Sequence, residues 1–277
     1  MKLESKRKVV PLEAKDWLRC SSLERMCPRE EILASRLKVD RDDTIHPDLQ
    51  LAFDLGHGMH WAFQNRIAPK LGIIRGKWRC LRCGVAVGGS PDESMWFGAD
   101  YDKLVKTSVA RPTACGNPTC AEAPRDEDTG DFEYVEQYFG NEVYRIGGHP
   151  DAFLEMEDGD GLGLGELKSC SERRFKEIKD CPDFGHVIQM QTYMWLTGLK
   201  WGMLLYWCKA LFREPLVEHC VERDDETIEK IKEMIKDVWD GVETGYLPER
   251  ICSSADCTRA EKCELSKPCF EYEEKVA

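Results

Sequence analysis

Two acidic residues and a lysine lie close together near the middle of the chain. Asp151 begins an alternating apolar segment, and Glu166 and Lys168 stand two residues apart in the segment that follows. Side chains two residues apart on a strand project to one face. Paired carboxylates can hold Mg²⁺ or Mn²⁺, and a neighbouring lysine can orient water or offset charge on a phosphorane-like transition state. This equipment fits phosphodiester hydrolysis, although ordinary hairpin charges are the alternative interpretation.

The elements around these residues would bring further polar groups to the same place. Strands are predicted at 151–157 and 162–169, joined by a turn at Asp158-Gly159-Asp160-Gly161. A preceding helix at about 49–67 carries two histidines, His57 and His60, three residues apart. A following helix at about 184–199 places Gln189 and Tyr193 on one stripe.

The order His60, Asp151, Glu166-x-Lys168, Gln189-xxx-Tyr193 resembles the RecB-type branch of the PD-(D/E)xK nuclease superfamily. That branch includes the nuclease domains of RecB and AddB, phage relatives and the nucleases of CRISPR adaptation. The resemblance implies one nuclease domain over residues 1–277. Its fold would be an α/β core of the restriction-endonuclease-like kind, a mixed sheet flanked by helices.

The resemblance also implies a role for each matching residue. His60, Asp151, Glu166 and the carbonyl of Leu167 would bind Mg²⁺ or Mn²⁺, and Lys168 would position the attacking water. Gln189 and Tyr193 would shape the site and contact the DNA or the lysine. Gly56, four residues before His60, matches the family motif and favours His60 over His57 as the ligand.

Fourteen cysteines without an amino-terminal apolar signal segment predict an intracellular protein whose thiols bind metal. One early cysteine and a late group resemble the iron–sulfur arrangement of the AddB and CRISPR-adaptation nucleases. The resemblance implies a [4Fe–4S] cluster that joins the chain ends through a tail at 245–277. Four late cysteines compete for three places, Cys20 is a second early candidate, and zinc bound by the late cysteines alone is the rival. The candidates for the cluster are Cys27, Cys252, Cys257, Cys263 and Cys269.

A third cysteine group predicts a zinc ribbon, which the family resemblance does not cover. Cys80-x2-Cys83 is a metal knuckle, and Cys115-x4-Cys120 is a looser second one. Four thiolates suit tetrahedral Zn²⁺. We expect an insertion at about 76–125, with strands near 95–97 and 104–106 and a mainly structural role.

Further elements follow from the apolar patterns. The sequence predicts a helix at 17–37, strands at 132–138 and 143–146, interior strands at 203–210 and 216–221, and an amphipathic helix at 224–244.

Length and composition limit the class of protein. With 277 residues and 42% hydrophobic content, the chain can bury one substantial core and a small metal-stabilised module. No segment is long and apolar enough to cross a bilayer, so we expect no membrane association and a cytoplasmic location. The net charge of −12 disfavours a broad phosphate-binding surface.

The resemblance therefore implies a metal-dependent deoxyribonuclease, with exonuclease activity on single-stranded DNA or DNA ends. Its setting would be recombination, repair, phage DNA processing or CRISPR adaptation. Cleavage polarity and oligomeric state stay open, and a protein partner or a homo-oligomer is compatible with the family. Two other hypotheses are a DNA-binding or assembly subunit with weak or no cleavage, and a zinc-stabilised interaction protein with a nuclease-like fold.

Overall fold

A computed structural model describes residues 9–11, 16–37, 40–42, 45–89, 95–98, 100–121, 131–156, 161–210 and 214–271. The strands are β1 Val9–Pro11, β2 Leu18–Arg19, β3 Asp40–Asp42, β4 Ile74–Arg75, β5 Lys77–Cys80, β6 Ala86–Val87, β7 Met95–Phe97, β8 Phe132–Val135, β9 Tyr138–Asn141, β10 Ile146–Gly148, β11 Ala152–Glu155, β12 Leu162–Cys170, β13 Trp201–Cys208 and β14 Leu216–Glu222.

The longer helices are α1 Pro28–Arg36, α2 Pro47–Ala62, α7 Phe184–Thr197 and α8 Asp225–Thr244. The shorter ones are α3 Ala68–Lys70, α4 Tyr101–Thr107, α5 Pro118–Ala121, α6 Glu172–Glu177, α9 Thr258–Glu261 and α10 Ser266–Glu271. A 3₁₀ segment covers Cys20–Arg25, and a π-helical turn, Phe63–Ile67, continues α2. None of the helices in these ranges has the length and apolar character needed to span a membrane.

A five-stranded mixed sheet in the order β14-β13-β12-β11-β4 forms the centre of the fold. The pair β12–β13 is parallel, and the other pairs are antiparallel. The ladder between β11 and β12 pairs Ala152 with Gly165 and Glu155 with Leu162. This antiparallel pairing agrees with the predicted hairpin, whose turn residues 158–160 lie outside the described residues. The mixed α/β class is therefore confirmed.

Three smaller sheets surround the central one. A four-stranded sheet has the order β2-β10-β9-β7, a three-stranded sheet has the order β6-β5-β8, and β1 pairs with β3. Helix α7 packs against the 3₁₀ segment, β9, β12 and β13, while α8 packs on α1 and α7. Helix α7 is buried along most of its length, because it lies between the central sheet and these elements.

The predicted strand at 132–138 covers two strands, β8 and the start of β9, which belong to different sheets. Four other predicted elements differ from the structure. The predicted helix at 17–37 is interrupted before Pro28, which begins α1, because proline supplies a helix start but no N–H for a preceding turn. The predicted strand at 143–146 is mostly a turn, in which Asn141 Oδ1 accepts from Tyr144 N and Arg145 has a φ of 47°. The predicted interior strand at 216–221 is the sheet edge, with alternating exposure.

The fourth difference falls in the segment expected to be an insertion. Residues 104–106, predicted as a strand, belong to helix α4, whose first turn is capped by the Asp100 carboxylate accepting from Lys103 N. Strand β7 joins the four-stranded sheet through β9, and Trp96 and Leu104 are part of the main core. The segment at 76–125 therefore contributes to the main fold as well as to the cysteine group, and residues 122–125 lie outside the described residues.

Candidate functional site

Asp151 lies at the entry to β11, where the ladder with β12 places it beside Glu166. Its Oδ2 atom accepts a hydrogen bond of 2.7 Å from the backbone N–H of Leu167. The other oxygen, Oδ1, lies 3.4 Å from Nδ1 of His60. The backbone bond fixes the orientation of the carboxylate, so one oxygen remains directed toward the histidine. His57, by contrast, is exposed.

Glu166, Lys168 and Gln189 form a buried hydrogen-bonded group. Lys168 Nζ donates to Glu166 Oε1 and to Gln189 Oε1, both at 2.8 Å. Gln189 Nε2 donates to the same Glu166 Oε1 at 2.7 Å. The second oxygen, Glu166 Oε2, is buried and has no hydrogen-bond partner. Buried carboxylate oxygens are normally paired, so this one is available to a ligand such as a metal cation.

Tyr193 contacts both Gln189 and the backbone that precedes Asp151. Its hydroxyl donates to the carbonyl of His149 at 3.0 Å, two residues before Asp151, and it accepts a long 3.5 Å contact from Gln189 Nε2. Burial, more than any other cause, raises the pKa of Tyr193 well above its usual value. The hydroxyl therefore remains protonated and holds the backbone that leads into Asp151.

Glu136 and Gln64 are site residues that the sequence analysis missed. Glu136, His60 and Asp151 each offer a ligand atom within 4.8 Å of the other two. Gln64 Nε2 donates to Glu136 Oε1 and to the Asp151 carbonyl, both at 2.7 Å. Gln64 reaches both because it stands in the π-helical turn after α2, a helix distortion often found at functional sites.

A signal for Glu136 was present in the sequence. Phe132 and Tyr134 are the buried residues of β8, and Glu136 continues their alternation. In the sequence, an acid on an otherwise apolar strand face is unusual and indicates a partner. In the structure the Glu136 side chain is exposed. The signal for Gln64 is weaker, because a helix that ends in a π turn has no distinctive residue pattern.

The electrostatics of the site indicate excess negative charge. The pKa of Glu166 is raised to about 7, first by burial and then by the Asp151 charge, with Lys168 opposing both. Lost hydration and then the Asp151 charge raise the pKa of Glu136. Burial lowers the pKa of His60, but the hydrogen bond to Asp151 and the nearby carboxylate charges together outweigh burial and raise the pKa overall. Divalent cation binding would compensate the three crowded carboxylates.

The four cysteines of the predicted ribbon lie together at the end of β5. Their Sγ atoms are within 4.8 Å of one another, with Cys80 and Cys120 3.6 Å apart and Cys83 and Cys115 3.5 Å apart. A zinc–sulfur bond of about 2.3 Å places tetrahedral ligands about 3.8 Å apart. The backbone N–H of Val85 lowers the pKa of Cys83 to about 7, which favours the thiolate. This group could hold one metal ion.

The late cysteines face Cys27 across a cavity between the two ends of the chain. Besides Cys27, the cysteines lining this cavity are Cys252, Cys263 and Cys269. Cys257 instead caps α9, where its side chain accepts from the backbone N–H of Ala260. Cys20 lies in the main core, fully buried, and does not line the cavity.

Arg29 is one of four charged residues that line this cavity, and it is almost completely buried. Its Nε donates to Cys269 Sγ at 3.2 Å, and its Nη1 donates to the Pro248 carbonyl at 2.7 Å. The guanidinium places a positive charge beside one of the candidate cluster ligands. The cavity thus combines soft ligands with a compensating positive charge.

Comparison with known proteins gives distant fold similarities. No family model and no curated protein matches the chain. An alkaline exonuclease from Laribacter hongkongensis is 20% identical, with a TM-score of 0.36 over 52% of this chain and 63% of that one. The protein SSO0001 is 14% identical, with a TM-score of 0.41 over 91% and 85%. A phage-related exonuclease from Haemophilus somnus is 17% identical, with a TM-score of 0.29 over 39% and 58%.

The chain spans less than two thirds of the length of these two exonucleases. Identities and TM-scores in this range establish neither a family nor an activity. The function is therefore inferred from the side chains of the site.

Proposed function

We propose that the protein is a metal-dependent deoxyribonuclease of the RecB-type PD-(D/E)xK branch. The observation that carries the proposal is the convergence of His60, Glu136 and Asp151 beside a buried Glu166 whose Oε2 has no partner. Oxygen and imidazole ligands of this kind suit Mg²⁺ or Mn²⁺. A bound cation would lower the pKa of water and offset charge on the phosphate.

The other residues of the site have separate proposed roles in hydrolysis. Burial lowers the pKa of Lys168, but the Glu166 and Asp151 charges outweigh burial and raise it, so the ammonium persists at neutral pH. We assign Lys168 to orient the attacking water and to stabilise the negative charge that develops on the phosphate oxygens. Gln189 holds this ammonium, and Gln64 holds Glu136 against Asp151. The Leu167 carbonyl is proposed as a further metal ligand.

We also propose two metal-binding sites formed by cysteines. Cys80, Cys83, Cys115 and Cys120 would hold Zn²⁺, because thiolates at this separation suit a tetrahedral ion. Cys27 would hold a [4Fe–4S] cluster with three late cysteines, and the lining of the cavity favours Cys252, Cys263 and Cys269 over Cys257. Iron, sulfide and zinc analysis of anaerobically purified protein tests both assignments. About four irons and one zinc per chain are expected, whereas colourless protein with zinc alone would refute the assignment of an iron–sulfur cluster.

The proposed substrate is single-stranded DNA or a DNA end, and the proposed setting is cytoplasmic DNA metabolism. A protein partner or a second copy of the chain could complete the enzyme. A cleavage assay also distinguishes this function from its main alternative, a DNA-binding or assembly subunit with weak or no activity.

The direct test is hydrolysis of a labelled oligonucleotide with Mg²⁺ or Mn²⁺. Lys168→Ala should reduce the rate by at least about 100-fold, because positioned charge at a transition state contributes about 10²–10³ in rate. The matched control is Lys230→Ala, which removes an exposed lysine of α8 paired with Glu226. Wild-type protein that fails to cut with either metal, or a Lys168→Ala variant that cuts at the wild-type rate, contradicts the proposal.

A further inference from the structure

Helix α2 carries a stripe of large exposed side chains beside the proposed metal site. Leu49, Phe53, His57 and Trp61 are spaced four residues apart and therefore lie along one side of the helix. Phe53 is 45% exposed and Trp61 is 44% exposed. Within the part of the chain that the structure describes, neither ring stacks on another aromatic ring. Two unstacked aromatic rings on one side of a helix offer planar surfaces for a ligand.

The stripe is continuous with the metal site because both use α2. Phe53 precedes His60 by seven residues, which places the two side chains on nearly the same face, about 10 Å apart along the axis. Gly56, between them, lies against β12: a Cβ atom there would be 3.0 Å from Ser169 Oγ. Nearer the start of the helix, Lys209 Nζ donates to the Ala52 carbonyl at 2.9 Å.

These contacts define the path of a bound strand. Helix α2 runs from His60 across the carboxyl end of β12 and reaches Lys209, just beyond β13, near Ala52. A phosphodiester held at His60 and Asp151 would have its neighbouring nucleotides beside Phe53 and Trp61, with the Lys209 ammonium close to the backbone. Phe53 and Trp61 are eight positions apart, which is about 12 Å along the helix and enough for two or three bases.

The charge of the chain explains why this path would use stacking. At −12, the protein has little general attraction for phosphate, so affinity has to come from other contacts. Aromatic rings stack on bases of any sequence, and only unpaired bases expose their faces. In a duplex the same faces are covered by neighbouring base pairs.

We propose that Phe53, His57 and Trp61 form a platform on which the bases of single-stranded DNA stack as the strand enters the metal site. The inference rests on the proposed nuclease function and names the form of DNA that this site accepts. Lys209 contributes a phosphate contact at the far end of the platform.

The test compares two double variants on opposite sides of α2. Phe53→Ala/Trp61→Ala removes the platform, and Leu51→Ala/Leu55→Ala removes the similarly exposed apolar side chains of the other side, 59% and 51% exposed. Both are made in the Lys168→Ala background, and binding of a labelled oligo-dT strand is followed by fluorescence anisotropy. Each base–ring stack contributes about 1–3 kcal/mol, so the platform variant should bind at least about fivefold more weakly. The leucine variant and blunt duplex DNA should show no such change.

A second measurement separates this inference from the proposed function. With Lys168 intact, Phe53→Ala/Trp61→Ala should cleave oligo-dT with a KM raised at least about fivefold and a kcat near that of wild type, because the rings hold the bases equally in the ground state and the transition state. Weakened strand binding by this double variant, together with a wild-type protein that does not cut, would support the platform and refute the nuclease. Unchanged binding, an equal loss in the leucine variant, or a change in oligomeric state without a change in binding would overturn the platform.

Discussion

Replacement of Glu166 by glutamine should make the metal-free protein more stable. Glu166 is buried, its Oε2 has no hydrogen-bond partner, and burial is the main cause that raises its pKa from 4.5 to about 7. At about 1.4 kcal/mol per pH unit, ionising this carboxyl above pH 7 costs the folded state about 3 kcal/mol. Glutamine removes that cost but also removes the pairing with Lys168. We expect a net gain of about 1–2 kcal/mol, or about 2–6 °C in Tm.

The pH dependence of the gain identifies its cause. A carboxyl whose pKa is raised by folding is neutral in both states below pH 4.5, and the folded state loses stability as the pH rises from 4.5 to about 7. Glu166→Gln and wild type should therefore differ little at pH 4.5 and most at pH 8.

Urea unfolding at the two pH values, without added Mg²⁺ or Mn²⁺, measures the effect. The control is Glu155→Gln, which alters a half-exposed acid on β11 paired with Arg75. A surface pair of this kind contributes at most about 1 kcal/mol. Added Mn²⁺ should then stabilise wild type and leave Glu166→Gln unchanged. A variant less stable than wild type at pH 8, or a difference independent of pH, would refute this account of Glu166.

Three further predictions concern other parts of the fold. Glu136→Ala should weaken Mn²⁺ binding at least about tenfold by titration calorimetry, because it removes one of three converging ligands; unchanged affinity would exclude Glu136 as a ligand. Cys83→Ser should lower the zinc content and the Tm, whereas Cys220→Ser, at an exposed thiol of β14, should change neither. Gly163→Ala should cost about 1–3 kcal/mol in chemical denaturation, because its Cβ would lie 2.3 Å from the Trp201 ring, while Gly116→Ala, with open space around it, should be near neutral.

The sequence indicates the central strands well, because their alternation is strong. The sequence predicts one strand at the segment that contains Asp151 and another at the segment that contains Glu166. The structure pairs them as β11 and β12 and places these acids next to each other. The two cysteine pairs of the ribbon also come together, although they stand 32 residues or more apart in the chain.

Tertiary contacts determine the features that the sequence analysis did not predict. Strand β14 mixes apolar residues with Glu218, His219 and Glu222, and among the described strands none pairs with its outer edge in the central sheet. Helix α4 begins at the Asp100 cap and packs Leu104 into the main core, a tertiary contact that the short apolar segment does not predict. Glu136 is held in the site by Gln64, which stands in the π-helical turn, and a local pattern does not predict that contact.

The link between Arg29 and Cys269 has a consequence for the order of folding. These residues are 240 positions apart, and Arg259 makes a second link of this kind by donating to the carbonyl of Arg25 at 2.8 Å. Contacts of such long sequence separation form slowly, because a large loop has to close first. Arg29 therefore cannot reach Cys269 until the last cysteines have been synthesised, although α1 can pack on α8 earlier. In ribosome-bound chains that stop short of residue 250, the segment around Arg29 should be open to proteolysis, and it should become protease-resistant after the tail is released.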